Sequence, residues 1–158
     1  MKKLISLASL SLIILLFNSC GSTSSVAKTI TIESGQVPPG MKTESFILIG
    51  TLTGRKSYDK YVKKNFEEYT GKYILATEEE IKTKYSDVSK YRYVMDYEKS
   101  QENMRTDITS KERHIVNYYR YFILDRKENK EYVRRSASSF YALEMKAYLE
   151  AIEGIRAK

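Results

Sequence analysis

The chain predicts an α/β fold, a single mixed β-sheet of about five to six strands with three helices packed on it. Three observations carry this. Ser45–Leu52 (SFILIGTL) is a short, continuous apolar run, the pattern of a strand covered on both faces. Tyr58, Tyr61, Val62, Phe66 and Tyr69 then recur at helical spacing, and a second apolar run, Lys72–Ala76 (KYILA), follows them. Further on, strand-like stretches at Tyr91–Tyr97 and Arg113–Asp125 precede a terminal helical pattern. Strands that alternate with helices and then run on as consecutive strands specify one sheet with helices laid on it.

Taken in order, Lys28–Glu33 alternates Thr29, Ile30, Thr31 and Ile32 and predicts an edge strand. Val37-Pro38-Pro39-Gly40 is a breaker, which puts the domain start near residue 42. After the first buried strand, Thr53-Gly54-Arg55-Lys56 turns, and Ser57 is placed to cap a helix over Tyr58–Tyr69. Lys60, Lys63, Lys64, Glu67 and Glu68 mostly take its wet side, and Gly71 closes it. Thr77-Glu78-Glu79-Glu80 is a capping box for a short helix carrying Ile81 and Tyr85. Tyr91, Tyr93, Met95 and Tyr97 alternate on one face of a strand. Glu98–Glu112 is almost free of apolar residues and predicts a long mobile excursion suited to partner binding. Arg113–Asp125 is a long strand, Arg126–Lys130 a charged hairpin turn, and Glu131–Arg134 the returning strand. Ser136, Ser138 or Ser139 caps a last helix whose stripe is Phe140, Leu143, Ala147, Ala151 and Ile155, widened by Met145, Tyr148 and Ile152.

The first twenty residues are of another kind. Lys2 and Lys3 precede Leu4–Phe17, an uncharged run rich in Leu and Ile, which is the pattern of an export leader. As a helix this run would rise about 21 Å, short of a hydrocarbon core of about 30 Å, so a lasting membrane span is not expected. Phe17-Asn18-Ser19-Cys20 ends it with the only cysteine of the chain. This segment resembles the lipobox of bacterial lipoproteins, in the looser form common in the Bacteroidota, with Phe17 where Leu is usual. The resemblance implies cleavage between Ser19 and Cys20 and a diacylglycerol on the Cys20 sulfur. Residues 1–19 are then a cleaved leader, 20–41 the lipidated cysteine and a flexible Gly- and Ser-rich tether, and 42–158 one α/β domain. Two or more acyl chains anchor a protein stably, whereas one holds it only marginally. Gly21 is not the aspartate that commonly retains such proteins in the inner membrane. The implied address is therefore the outer membrane, with the domain facing the periplasm.

Composition bounds the rest. With the lone cysteine committed to lipid, no internal disulfide can form and the fold rests on its core. The formal net charge is +7, of which Lys2 and Lys3 leave with the leader. Mild, evenly mixed positive charge suits lipid headgroups or cell-wall polymer and does not argue for nucleic acid. Fourteen tyrosines and no tryptophan suit half-buried faces or a tyrosine-lined binding surface. His114 is the only histidine, so a His/Cys zinc site is excluded, and no nucleophile elbow or phosphate-cradling loop occurs. The Glu78–Glu80 run is explained by helix capping. No catalytic residue, metal or small-molecule cofactor is assigned. Arg126, Lys127, Arg134 and Arg135, with Tyr93, form a candidate partner surface. Asp96, Glu98 and Asp125 are candidates for a paired-carboxylate site.

The run KYILATEEEI and the hairpin YFILDRKENKEYV before a terminal helix resemble lipoproteins related to the TolB amino-terminal domain. The resemblance covers about Ser45–Lys158 at the level of pattern, and Glu98–Glu112 departs from it. It implies an envelope module and carries function only by analogy. The expectation is a non-enzymatic binding or scaffold lipoprotein whose partner is an envelope protein or peptidoglycan, the alternative being an envelope hydrolase that uses acidic residues. Intact-mass measurement of protein purified from membranes tests the leader reading. Residues 1–19 should be gone and Cys20 should carry acyl mass; an unmodified mature thiol contradicts it.

Overall fold

β1 (Leu48–Leu52) is the centre of the architecture, with β2 (Tyr73–Thr77) and β3 (Tyr93–Arg105) parallel to it on either side. β4 (Arg113–Asp125) runs antiparallel to β3, and β5 (Lys130–Val133) antiparallel to β4, giving one mixed sheet of order β2-β1-β3-β4-β5. The structure is a computed structural model that describes residues 23–105 and 113–156. Cys20, Ser19 and the rest of the expected leader lie outside the described residues. Among the described residues four α-helices accompany the sheet: α1 (Thr23–Ala27), α2 (Lys56–Glu67), α3 (Glu78–Thr83) and α4 (Tyr141–Arg156). The fold class is therefore α/β, as the alternation of strand and helix patterns predicts, with one short helix more than expected.

The continuous apolar character of β1 has the cause inferred for it. Leu48 joins a core built with Val62 and Phe66 of α2 and Tyr148 and Ile152 of α4. Its neighbour Ile49 points to the other face, where it meets Ala76, Val94 and Ile81 of α3. Successive strand residues face opposite sides, so a strand with helices on both faces has no polar side to show. Gly50 is needed here for room: a Cβ would come within 2.5 Å of the Phe66 ring.

Several local expectations change. Helix α2 begins at Lys56 and has no side-chain cap from Ser57; instead Thr53 donates from its N–H and its hydroxyl to Asp59 Oδ1, at 2.8 and 2.9 Å. Gly71 lies beyond the helix end and leaves space for the Tyr69 ring. Phe140 precedes α4 and is 67% exposed, so it does not belong to the apolar stripe. The Thr77 capping box is present as expected, with Glu80 N donating to Thr77 Oγ1 and Thr77 N to Glu80 Oε2.

Two corrections are larger. Glu98–Glu112 is not an irregular excursion as far as it is described. β3 continues to Arg105, and β4 begins at Arg113 and pairs with it residue for residue. Beyond Tyr97 this ribbon extends about 25 Å, at about 3.3 Å per residue. The polar sequence of its β3 strand follows from its position: Glu98–Glu102 are exposed, so no alternating apolar face is needed there, while on β4 Tyr119 still packs against Tyr58 and Tyr141. The second correction concerns residues 23–41. Thr23–Ala27 is helical, Lys28–Glu33 forms turns instead of an edge strand, and Ile30, Val37 and Met41 are buried in the main core. The packed chain thus starts well before residue 42. Buried Gln36 holds this strap, donating from Nε2 to Thr29 O at 2.9 Å and accepting from Arg134 at 3.0 Å.

At the amino edge of the parallel strands, Arg92 forms a bidentate pair with Asp125, whose side chain is 1% exposed. Burial alone would raise the Asp125 carboxyl, but the Arg92 guanidinium and the N–H groups of Glu128 and Lys127 hold it below the usual carboxylate range. A depressed folded-state value means that the stabilisation is complete above the unfolded value, about 3.9, and is lost as pH falls through the folded one. Asp125→Ala should cost about 1–3 kcal/mol, because it removes the buried partner of Arg92, which keeps only the exposed Glu44 and Glu128. Urea denaturation at neutral pH and at pH below the carboxylate range should show that cost shrinking in acid.

Candidate functional site

The sequence turns its chain in opposite directions at the carboxyl ends of two neighbouring strands. After β1, Thr53 and Gly54 (φ 75°) lead into α2 on one face of the sheet; after β2, Thr77 caps α3 on the other. Where adjacent strands of an open sheet diverge in this way a crevice opens outside their ends, and this is where such sheets bind ligands. Here it is a cavity of about 540 Å³ lined by residues 51–54, 77–79, and Asp96 with Tyr97 on β3.

The lining is hydroxylic and acidic. Thr51, Thr53 and Thr77 contribute hydroxyls, and Glu78, Glu79 and Asp96 carboxyls. Asp96 is the distinctive member. It is half-buried and accepts from Tyr97 N at 2.8 Å, and no ion pair engages it among the described residues. Burial pushes its carboxyl above the usual range, and the nearby Glu78 and Glu131 add to that rise. The Thr51 hydroxyl is close enough to oppose the rise, yet its oxygen is buried and outside hydrogen-bonding geometry with any described group. Glu78 goes the other way: its hydrogen bond with Lys82 holds it below the usual range. Among the described residues no three His, Cys, Asp or Glu side chains are grouped so as to hold a metal.

The candidates taken from sequence do not gather here as a set. Asp96 and Glu98 share one face of β3, but Asp125 lies opposite Tyr93, on the other face, and is taken up by Arg92. Glu98 is paired with Arg120. The three carboxylates therefore do not converge. The expected basic surface loses Arg126, Arg134 and Tyr93 to internal contacts. Arg126 donates inward to the carbonyls of Tyr85 and Tyr91, at 2.7 and 2.8 Å. Arg134 is paired with Glu144 and Gln36, and Arg135 donates from its N–H to Gln36 Oε1. Tyr93, expected on a partner surface, is 0% exposed and packs in the core. Of the five, Lys127, at the β4–β5 turn, and Arg135 stand exposed. His114 is on β4 opposite Met104, and its side chain lies outside the described residues.

Most of the tyrosines are structural. Tyr58, Tyr97, Tyr119, Tyr121 and Tyr141 stack between the sheet, α2 and α4, with Tyr141 in contact with the other four at ring-centroid separations of 5.0 to 5.7 Å. Burial pushes the Tyr119 hydroxyl up to about 12, and it bonds the Tyr58 hydroxyl at 2.8 Å. The crevice residues Thr51, Thr53 and Thr77 carry no site signal in the sequence, and Glu78 and Glu79 read there as part of a helix cap. Gly54 and the Thr77 box are visible as turn and cap, but nothing in the linear order brings them together.

No protein family, curated protein or solved structure matches the chain. Because the folded state raises the Asp96 value, its carboxyl favours the fold at acid pH, and that contribution is lost as pH rises through the folded value. Asp96→Asn should accordingly leave stability unchanged or increase it at neutral pH, with the difference vanishing in acid. Urea midpoints of both proteins across pH measure this.

Proposed function

We propose that the chain is an envelope lipoprotein, held by lipid on Cys20 at the outer membrane and facing the periplasm, that works as a non-enzymatic binding or scaffold module. The crevice at the ends of β1 and β2 is its partner site. The observation that supports this most is Asp96, a half-buried carboxyl without a cation, beside an unsatisfied Thr51 hydroxyl in an open crevice. An unpaired acid next to hydroxyls recognises a donor-rich group, an amine or a polyol, as presented by a basic protein segment or by the amines and hydroxyls of peptidoglycan. The expected basic surface, in contrast, spends Arg126 and Arg134 on internal bonds. That moves the recognition chemistry from anionic to cationic or neutral donors.

One observation favours the hydrolase alternative. Asp96 is raised and the neighbouring Glu78 lowered, and two carboxyls pushed apart in this way suit an acid and a carboxylate flanking a glycosidic bond. One experiment separates the two readings. Crosslinking in intact envelopes followed by recovery of the protein should capture an envelope protein or wall polymer, and Glu79→Lys should reduce the yield severalfold. Wild-type protein that captures neither removes the binding reading. Glycan cleavage by the wild type that is lost in both Glu78→Gln and Asp96→Asn would put the hydrolase in its place.

A further inference from the structure

The parallel strands give the domain two distinct ends. The amino ends of β1, β2 and β3 share one edge of the sheet; their carboxyl ends, with the crevice, share the other. The β3–β4 ribbon continues past the carboxyl edge, so its described end is about 43 Å from the amino edge over the 13 residues of β3.

The chain enters at the amino edge. α1 and the last turns of α4, from Glu150 to Ile155, line one groove. Arg156 at the end of α4 donates to Thr70 Oγ1 at 2.9 Å, in the turn that leads into β2. The strap after α1 is fixed to the body: Ile30 is buried, and the buried Tyr148 hydroxyl donates to Gln36 O. Cys20 precedes Thr23 by three residues, a reach of at most about 11 Å even when fully extended. An acylated Cys20 therefore leaves the amino edge little freedom to turn away from the bilayer.

The charge on that edge agrees. Lys72 and Lys90 flank the groove at Ser45–Ile47, Lys127 and Lys130 stand at the β4–β5 turn, and Lys28 and Lys42 lie on the strap. All six are exposed, and none is in an ion pair among the described residues. Of the acids near them, Glu44 and Glu128 are paired with Arg92, while Asp87 stands beside Lys90 and Glu150 shares a groove with Lys28. Six exposed lysines gathered toward one edge, with two of the nearby acids taken up by Arg92, are attracted to an anionic bilayer over about a Debye length.

We infer that the domain stands on its amino edge against an anionic phospholipid surface, with the crevice and the β3–β4 ribbon directed away from the membrane. This rests on the lipid-anchored reading above. It also makes the strap a fixed mount, where the sequence predicts a free tether.

The chain has no tryptophan, so single reporters can be read without background. Full-length acylated protein carrying Ser45→Trp at the amino edge, or Gln101→Trp on the ribbon, is reconstituted in phosphatidylethanolamine and phosphatidylglycerol vesicles containing a headgroup-nitroxide lipid. Both positions are exposed. Quenching at residue 45 should exceed that at residue 101 severalfold. Equal quenching, or stronger quenching at 101, in protein whose intact mass shows an acylated Cys20 overturns the orientation and leaves the anchor standing. Absence of the acyl mass overturns both. Adding Lys72→Glu, Lys90→Glu and Lys127→Glu to the residue-45 reporter should lower its quenching; unchanged quenching removes the electrostatic part of the inference.

Discussion

Arg92 stands among Asp125, Glu44 and Glu128 at the amino edge of the sheet, and how the strands and the strap meet depends on it. Its Nε and one terminal nitrogen grip Asp125 at the end of β4, and the other terminal nitrogen reaches Glu44 in the strap at 2.7 Å. Asp125 also accepts the N–H groups of Lys127 and Glu128, which shapes a turn in which Asn129 takes a left-handed conformation (φ 49°). One guanidinium therefore ties the start of β3 to the end of β4, and both to the β4–β5 turn and the chain before β1. Its planar fork allows this, because each donor has a fixed direction and several carboxylates can be served at once. The arrangement also neutralises Glu44 and Glu128 at that edge.

Without a disulfide, the domain builds its core largely from tyrosine. Tyr93, Tyr121 and Tyr148 are among the largest fully buried side chains. A buried phenol contributes large apolar contact but requires a hydrogen-bond partner. Tyr148 finds two, the carbonyls of Gln36 and Tyr132, and in doing so clamps the strap onto α4 and β5. Tyr121 donates to Tyr141 O, while the hydroxyls of Tyr69, Tyr93 and Tyr141 are buried without a partner among the described residues. The core thus tolerates some unsatisfied hydroxyls in return for ring packing. A tyrosine-rich composition can be read either as core or as a binding surface, and here burial decides for core.

Legibility followed the range of the interaction. The Thr77 capping box spans three residues, and both of its hydrogen bonds occur as expected. β1 was recognisable because burial on two faces leaves an apolar run. The β4 half of the ribbon was equally recognisable, but its β3 half was not, since an exposed strand segment such as Glu98–Glu102 carries the same composition as a loop. Arg134 resembled a surface cation in a charged stretch, yet its partner Gln36 lies 98 residues away. The crevice was hidden for the same reason: Thr51, Thr77 and Asp96 belong to three strands, and only the order β2-β1-β3 makes them neighbours.

The sequence by itself determined the alternation of strands and helices and hence the α/β class, because periodicity and capping are settled within a few residues. The tertiary structure alone decided which charges remain free, which face of each strand is covered, and that residues 23–41 belong to the body. It alone set the crevice and the ribbon at the end opposite the chain's entry. Those outcomes depend on contacts between segments distant in sequence, and such contacts leave no periodic mark on either segment.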